Sequence, residues 1–208
     1  MIQTTSILDL DQAKRWLSQQ LSHERFEHSM GAHEKAVELA EKFNLPMEER
    51  ERAAVAGLLH DSAKLMRPPE LLDYCEQHEL PIDDNDRNSI QALHPFVGAE
   101  LVRETFNLQD PDILNAIRYH TTGRAGMSRV EKIVYIADKI EGNTRNPLYI
   151  QKMTAPLDFK NAWSLDLTML FILESTIQYL IERHQIIHPR TIEARNDFVL
   201  RLRAEHHL

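Results

Sequence analysis

Apolar positions recur along nearly the whole chain at the three- and four-residue spacing that places them on one face of a helix. From Ser6 to Gln20 the apolar set is Ile7, Leu8, Leu10, Ala13, Trp16 and Leu17. From Arg25 to Phe43 it is Phe26, Met30, Ala36, Val37, Leu39, Ala40 and Phe43. Asn44-Leu45-Pro46 stops that helix, because proline cannot continue one. A third helix is expected over Glu48–Lys64, and its uninterrupted apolar stretch Ala53–Leu59 predicts burial on all sides. Pro68-Pro69 start a short helix over Glu70–Gln77, Pro81–Ser89 reads as an acidic loop, and His94-Pro95 open a helix reaching about Phe106. Asp110 and Pro111 form an N-cap followed by proline at the first helical position, leading to Tyr119. Thr121–Met127 is a loop with Gly123 and Gly126, and Ser128 caps a helix over Arg129–Ile140. Asn143–Pro147 breaks the pattern, a long helix is expected from about Leu157 to His184, and a last one from about Thr191 to Glu205. With no strand pattern and no internal repeat, the expectation is an all-α fold.

Composition adds boundaries. The 208 residues fit one compact domain, 1–208, with no flexible Gly/Ser linker and enough chain to bury a sizeable core. Against 24 Lys and Arg stand 32 Asp and Glu, a net charge of −8. That balance argues against a duplex nucleic-acid binder, which needs a basic stripe. It leaves open a small anionic substrate held by a metal and a few local cations. Cys75, the single cysteine, excludes a disulfide framework and a cysteine zinc site. No apolar run approaches the roughly 18 residues of a membrane span. The start Met1-Ile2-Gln3-Thr4-Thr5 lacks the basic and apolar stretches of a signal peptide, so a cytoplasmic protein with no membrane partner is expected. There is no GxGxxG and no P-loop to cradle phosphates.

The chemistry concentrates in histidines, of which the chain has 11. In Leu58-Leu59-His60-Asp61-Ser62-Ala63-Lys64 an apolar helix abruptly presents imidazole, carboxylate and ammonium. Adjacent helix residues point about 100° apart, so His60 and Asp61 converge on one ion only at a helix end or distortion. Burying them beside Leu58 and Leu59 is costly unless they are paired or metal-bound. The plain alternative is a solvated helix terminus. His28 lies early in an apolar helix, and His94 and His120 lie at helix boundaries. Asp138 follows Ile133, Val134, Tyr135, Ile136 and Ala137, where its ordinary role would be an ion pair with Lys64 or Arg145. Imidazole and carboxylate without thiolate suit iron, manganese or zinc.

The order His28, His60-Asp61, His94, His120, Asp138 resembles the HD-domain metal-dependent phosphohydrolases. Longer words narrow the resemblance to the YqeK family of symmetrical dinucleoside-tetraphosphate hydrolases. These are Arg25-Phe26-Glu27-His28-Ser29-Met30-Gly31, Gly57 to Lys64, Ala116 to Gly123, Glu131 to Glu141 with Arg145, and Thr191 to Asn196. One departure is Gly142, where that family is expected to carry proline. The resemblance implies a helical HD bundle with its metal core over about 22–145 and additional C-terminal helices over 146–208. It implies His28, His60, Asp61 and Asp138 as metal ligands. His94 and His120 would hold a second metal, with Asp61 bridging, or bind substrate phosphate. Iron, one or two ions, is the implied cofactor, with manganese, zinc or another divalent metal as alternatives. His60, Asp61 and Lys64 are the implied catalytic group. Arg25, Lys64 and Arg145 would contact phosphate, with Arg145 reaching over the metal, and Thr121 and Tyr135 would line the nucleotide pocket. The implied reaction is diadenosine tetraphosphate plus water to two ADP. The alternatives are an HD phosphohydrolase for other nucleotides, or a nucleotide-sensing protein with negligible turnover.

The remaining candidates read as ordinary structure. His23 and His33 flank the His28 helix without repeating the family words, and His78, His184, His188, His206 and His207 read as surface residues. Asp83-Asp84-Asn85-Asp86 lacks the spacing, glycine and terminal glutamate of a calcium loop and reads as solvated. Leu167, Leu170, Ile172, Ile177, Leu180 and Ile181 form a stripe expected in the core, with a homodimer contact as the second option.

Overall fold

Ten residues of the segment Arg129–Ile140 are buried, and its Ser128 cap explains how so apolar a helix starts cleanly. The Ser128 hydroxyl accepts from the Glu131 backbone N–H while the Glu131 carboxylate accepts from that of Ser128, a reciprocal capping box. Five other helices pack against this one. A computed structural model describes residues 7–154 and 165–205. Among these, eleven helices and no strand are found: α1 (Leu10–Gln20), α2 (His23–Lys42), α3 (Met47–Leu59), α4 (Pro68–Gln77), α5 (Asp84–Asn88), α6 (Ile90–Phe106), α7 (Pro111–Tyr119), α8 (Arg129–Ile140), α9 (Pro147–Thr154), α10 (Leu165–Glu182) and α11 (Pro189–Ala204).

Helix α8 packs against α2, α3, α7, α9 and α10, while α2 and α3 lie along each other and α10 pairs with α11. The α2–α3 approach is close enough that a Cβ at Gly57 would lie 3.0 Å from the Ala32 carbonyl oxygen. One apolar cluster runs from Leu8 through α2, α3, α7, α8 and α10 to Leu202. A smaller one joins Ala63, Leu71, Cys75, Leu93 and Val97 under α4 and α6. Burial raises the Cys75 thiol to about 11, an inert setting for a thiol. No helix among the described residues is long and apolar enough to cross a membrane.

The helical reading holds, with informative departures. Helix α1 starts at Leu10, because the Asp9 side chain accepts from the Asp11 and Gln12 backbone and fixes the start there. Helix α3 ends at Leu59, not Lys64, and residues 60–66 form tight turns. Helix α6 begins four residues before His94 and carries Pro95 inside it, at the cost of one backbone hydrogen bond. The acidic stretch after Pro81 holds α5, and its Asp86 is fully buried rather than solvated. His188, read as surface, is buried as the N-cap of α11. Helix α9 starts at the end of the expected break Asn143–Pro147 and fills a stretch to which no element was assigned. The expected Leu157–His184 helix is described from Leu165 onward, and its first part lies outside the described residues, as do His206 and His207. Of its apolar stripe, Leu170 and Ile172 are core, whereas Leu180 lines a cavity and Ile181 is exposed.

Candidate metal centre and substrate cavity

Helices α3 and α7 end in the same way. His60 and His120 are their C-caps, still in right-handed helical conformation, and each donates Nδ1–H back to the carbonyl three residues earlier. The acceptors are Gly57 O and Ile117 O, both at 2.8 Å. A carbonyl only accepts, so the proton sits on Nδ1 and the bare Nε2 points away from the helix end. His28 is fixed from α2 in the same tautomer, its Nδ1 lying 3.1 Å from Glu141 Oε1. His94 projects from α6.

These four imidazoles surround Asp61. Its Oδ2 faces His28 Nε2 and His60 Nε2 at 3.8 and 3.7 Å. Its Oδ1 faces His94 Nε2 and His120 Nε2 at 3.2 and 3.6 Å. Asp138 closes the first pair, with Oδ1 3.0 Å from His28 Nε2 and 3.7 Å from His60 Nε2. The tight turns after Leu59 bring Lys64 back over Asp61, where Nζ lies 3.5 Å from Oδ1 and 3.3 Å from His94 Nε2. Arg25 Nη1 lies 3.5 Å from Asp61 Oδ2.

The protonation pattern fits a cation. Burial lowers His60 and His94 to about 3, so both stay neutral. For Asp61, burial favours the neutral acid, but His60, His120, His94 and Lys64 outweigh it and hold the carboxyl well below its usual range. Asp138 is likewise held down, by Lys139, His28, His60 and Arg145 against the opposing effect of burial. For His28, burial pulls the pKa down, yet the Asp138 and Asp61 carboxylates win and raise it. Most telling, His28 Nε2 and His60 Nε2 approach to 3.2 Å, and His94 Nε2 and His120 Nε2 to 3.3 Å. Facing lone pairs repel at that separation unless a proton or a metal cation lies between them. His28, His60 and Asp138 form one donor group able to hold an ion, and His60, Asp61 and His120 another.

A cavity of about 630 Å³ opens beside this cluster, and Arg25, Thr121, Lys139, Thr144 and Arg145 line the part nearest it. Tyr135 does not line it, contrary to expectation: the residue is wholly buried in the core face of α8. Arg145 does line it, but its guanidinium is committed. It donates to Asp138 O at 3.1 and 2.9 Å and to Asp138 Oδ1 at 2.9 Å, so it braces the carboxylate instead of extending freely over the centre.

Three site neighbours carried no assigned role in the sequence. Lys139 lines the cavity and pairs with Asp138 Oδ2 at 2.5 Å. Glu141, wholly buried, accepts from His28 and from the backbone N–H groups of Asn143 and Thr144 at 2.6 and 3.0 Å. The Thr144 hydroxyl completes the set at 2.6 Å from Glu141 Oε1. Gly31 makes the room: a Cβ there would lie 2.4 Å from Glu141 Oε2. The sequence offered little signal, because Glu141 is the first non-helical residue after α8 and its partner His28 lies 113 positions away.

Paired histidines around an His-Asp step, closed by an aspartate from a later helix, are the features by which HD-domain proteins are defined, and the HD domain family model matches residues 25–143. A relative from Bacillus subtilis named bis(5'-nucleosyl)-tetraphosphatase, symmetrical, is 33% identical over 185 residues, covering 88% of this chain and 94% of the relative. One of the same name from Staphylococcus aureus is 31% identical over 191 residues, covering 91% and 94%. A crystal structure titled as a predicted HD superfamily hydrolase involved in NAD metabolism, from Clostridium acetobutylicum, superimposes with a TM-score of 0.80. It is 33% identical and covers 93% of this chain and 98% of that one. The chain belongs to the HD domain family, in the branch of the symmetrical bis(5'-nucleosyl)-tetraphosphatases.

Proposed function

We infer that this protein is a metal-dependent phosphohydrolase that cleaves dinucleoside tetraphosphates symmetrically, diadenosine tetraphosphate plus water giving two ADP. The observation that carries the reading is the buried His28-His60-Asp61-His94-His120-Asp138 cluster at one end of a cation-lined cavity, in a chain whose relatives bear that enzyme's name. His28, His60, Asp61 and Asp138 are the primary metal ligands. Asp61 turns one oxygen to each histidine pair, so a second ion would be held by Asp61 with His94 and His120. The donor set suits iron, the metal implied for this family, and also manganese and zinc. A bound divalent ion supplies Lewis acidity and lowers the pKa of water toward neutrality.

The protein's own groups do the rest. The Nδ1–H bonds of His60, His120 and His28 hold each imidazole in the tautomer that offers Nε2 to the centre. Arg25 and Lys64, beside Asp61, offset the charge of the polyphosphate, and Lys139 and Arg145 extend that cationic wall along the cavity. Thr121 lines the same wall and offers a hydroxyl to phosphate oxygen.

The test is a substrate panel. Metal-loaded protein is incubated with dinucleoside polyphosphates, nucleoside mono-, di- and triphosphates and cyclic nucleotides, and products are resolved by chromatography. Preferential consumption of the dinucleoside tetraphosphate, lost in chelator, is expected. Faster turnover of a mononucleotide, or binding without turnover, overturns the reading.

A further inference from the structure

The cavity does not end at its cations. Away from the metal cluster it is walled by Tyr149 of α9, by Tyr179, Leu180 and Arg183 of α10, and by Ile186 beyond them. This wall is apolar and open: Tyr179 is 39% exposed and Ile186 64%. An isolated exposed apolar residue needs no account, but an aromatic and aliphatic surface gathered inside a cavity does. The two tyrosine rings stand edge to face, with centroids 6.5 Å apart. The Arg183 guanidinium lies 4.5 Å from the Tyr179 ring centre, covering one face and holding the ring in place.

The wall adjoins the cations nearest the metal cluster, Lys139 and Arg145. Lys139 and Arg145 both act electrostatically on the Tyr149 hydroxyl, although burial dominates and raises its pKa. Tyr149 lines the cavity together with Lys139 and Arg145, and its ring stands edge to face with Tyr179. The sequence metal cluster, cations, Tyr149, Tyr179 repeats the sequence of a nucleotide: reacting phosphorus, flanking phosphate, sugar, base.

Resting on the phosphohydrolase reading above, we propose that the Tyr149–Tyr179 wall is a nucleobase subsite. It stacks the base of the substrate half whose phosphates lie against Lys139 and Arg145. Rings recognise a base by its π face, and every base has one, so the subsite supplies binding energy to any nucleotide half more than it selects one base. After cleavage the same surface retains ADP, and the product leaves as that stacking is broken.

The test uses the full-length, metal-loaded protein and two probes, ADP and inorganic pyrophosphate, with binding measured by calorimetry. Tyr179→Ala should weaken ADP roughly five- to a hundredfold, the range that one base–aromatic stack carries. Tyr179→Phe should bind ADP as the wild type does, and neither variant should change pyrophosphate affinity. Unchanged ADP affinity in Tyr179→Ala overturns the subsite, as does an equal loss for ADP and pyrophosphate, which would make the tyrosine a support for the cations. Hydrolysis of diadenosine tetraphosphate by the wild type is followed in parallel and keeps the two readings apart. Turnover with unchanged ADP binding in Tyr179→Ala removes the subsite and leaves the enzyme. Base-dependent ADP binding without turnover removes the enzyme and leaves a nucleotide-stacking site.

Discussion

Six charged or imidazole groups, Arg25, His28, His60, Lys64, His94 and His120, face the single carboxylate of Asp61. Asp61 touches both histidine pairs through separate oxygens, so its loss removes the common partner of the cluster. Asp61→Ala should abolish metal retention and turnover while the helical circular dichroism persists, because Asp61 lies in the turns after α3 and supports no helix. Wild-type metal content by elemental analysis in that variant would contradict the assignment. Glu141 acts one step further out. Asparagine-like amide chemistry cannot replace it: in Glu141→Gln one side-chain end must face the Asn143 and Thr144 N–H groups with its own N–H donors, or else turn them on His28. Its metal affinity should fall about ten- to a hundredfold. Gly31→Ala, which drives a methyl group into the same carboxylate, should reproduce that loss. Unchanged metal dissociation constants in both would show Glu141 to be ordinary loop anchoring. At this scale the sequence was most legible where a polar residue interrupts an apolar run, as at His60, Asp61 and Asp138. It was least legible where the partner is remote, as for Glu141, whose contact with His28 spans 113 positions.

Among the elements, α5 and α11 are joined by a connection that no sequence pattern announced. The Asp86 carboxylate receives both guanidinium nitrogens of Arg190 at 2.6 and 2.5 Å, with His188 Nε2 at 3.3 Å. Burying a carboxylate on so short a helix is tolerable only because Arg190 meets it in a two-pronged pair. Local composition around Asp86 is acidic and polar, so it reads as a loop, and the stabilising residue lies 104 positions away. Asp86→Ala strands a largely buried guanidinium and should lower unfolding free energy by about 3 kcal/mol in denaturant titration, with metal content unaffected. A change under about 0.5 kcal/mol would mean that the pair is worth no more than a surface ion pair. Helix α9 was missed for a related reason: Asn143-Thr144-Arg145-Asn146-Pro147 reads as a break, and it is one, but Pro147 then serves as the first residue of a new helix. The end of α3 was also misplaced, at Lys64 instead of Leu59, although the requirement that His60 and Asp61 face one centre called for a helix end or distortion there.

Over the whole molecule, apolar periodicity sufficed for most of the helical order, and the burial of α3 on all sides was recognisable from its continuous apolar run Ala53–Leu59. The convergence of α2, α3, α6, α7 and α8 on one point was legible only through the family words, since periodicity does not say which helix ends meet. That convergence has a pH signature. His60 and His94 are neutral in the fold down to about 3, against about 6.5 in an unfolded chain. Between these values the unfolded chain binds more protons, so stability falls as pH falls. Asp61 and Asp138, with lowered pKa values, add stability that is lost in turn below the ordinary carboxylate range near 4. His28, raised by its carboxylates, contributes stability that is already complete below about 6.5 and so does not reverse the trend. The metal-free protein should therefore melt at progressively lower temperature from pH 6.5 to pH 4.5, and a flat or rising melting temperature would contradict this balance.

The central claim is that the centre and its cavity cut a dinucleoside tetraphosphate between its two middle phosphates. The most direct measurement is product stoichiometry: iron- or manganese-loaded protein, diadenosine tetraphosphate, and nucleotides separated by ion-exchange chromatography at partial conversion. Two ADP per substrate consumed, with neither ATP nor AMP, is the predicted result. Equal amounts of ATP and AMP would place the attack at an outer phosphate and contradict the account.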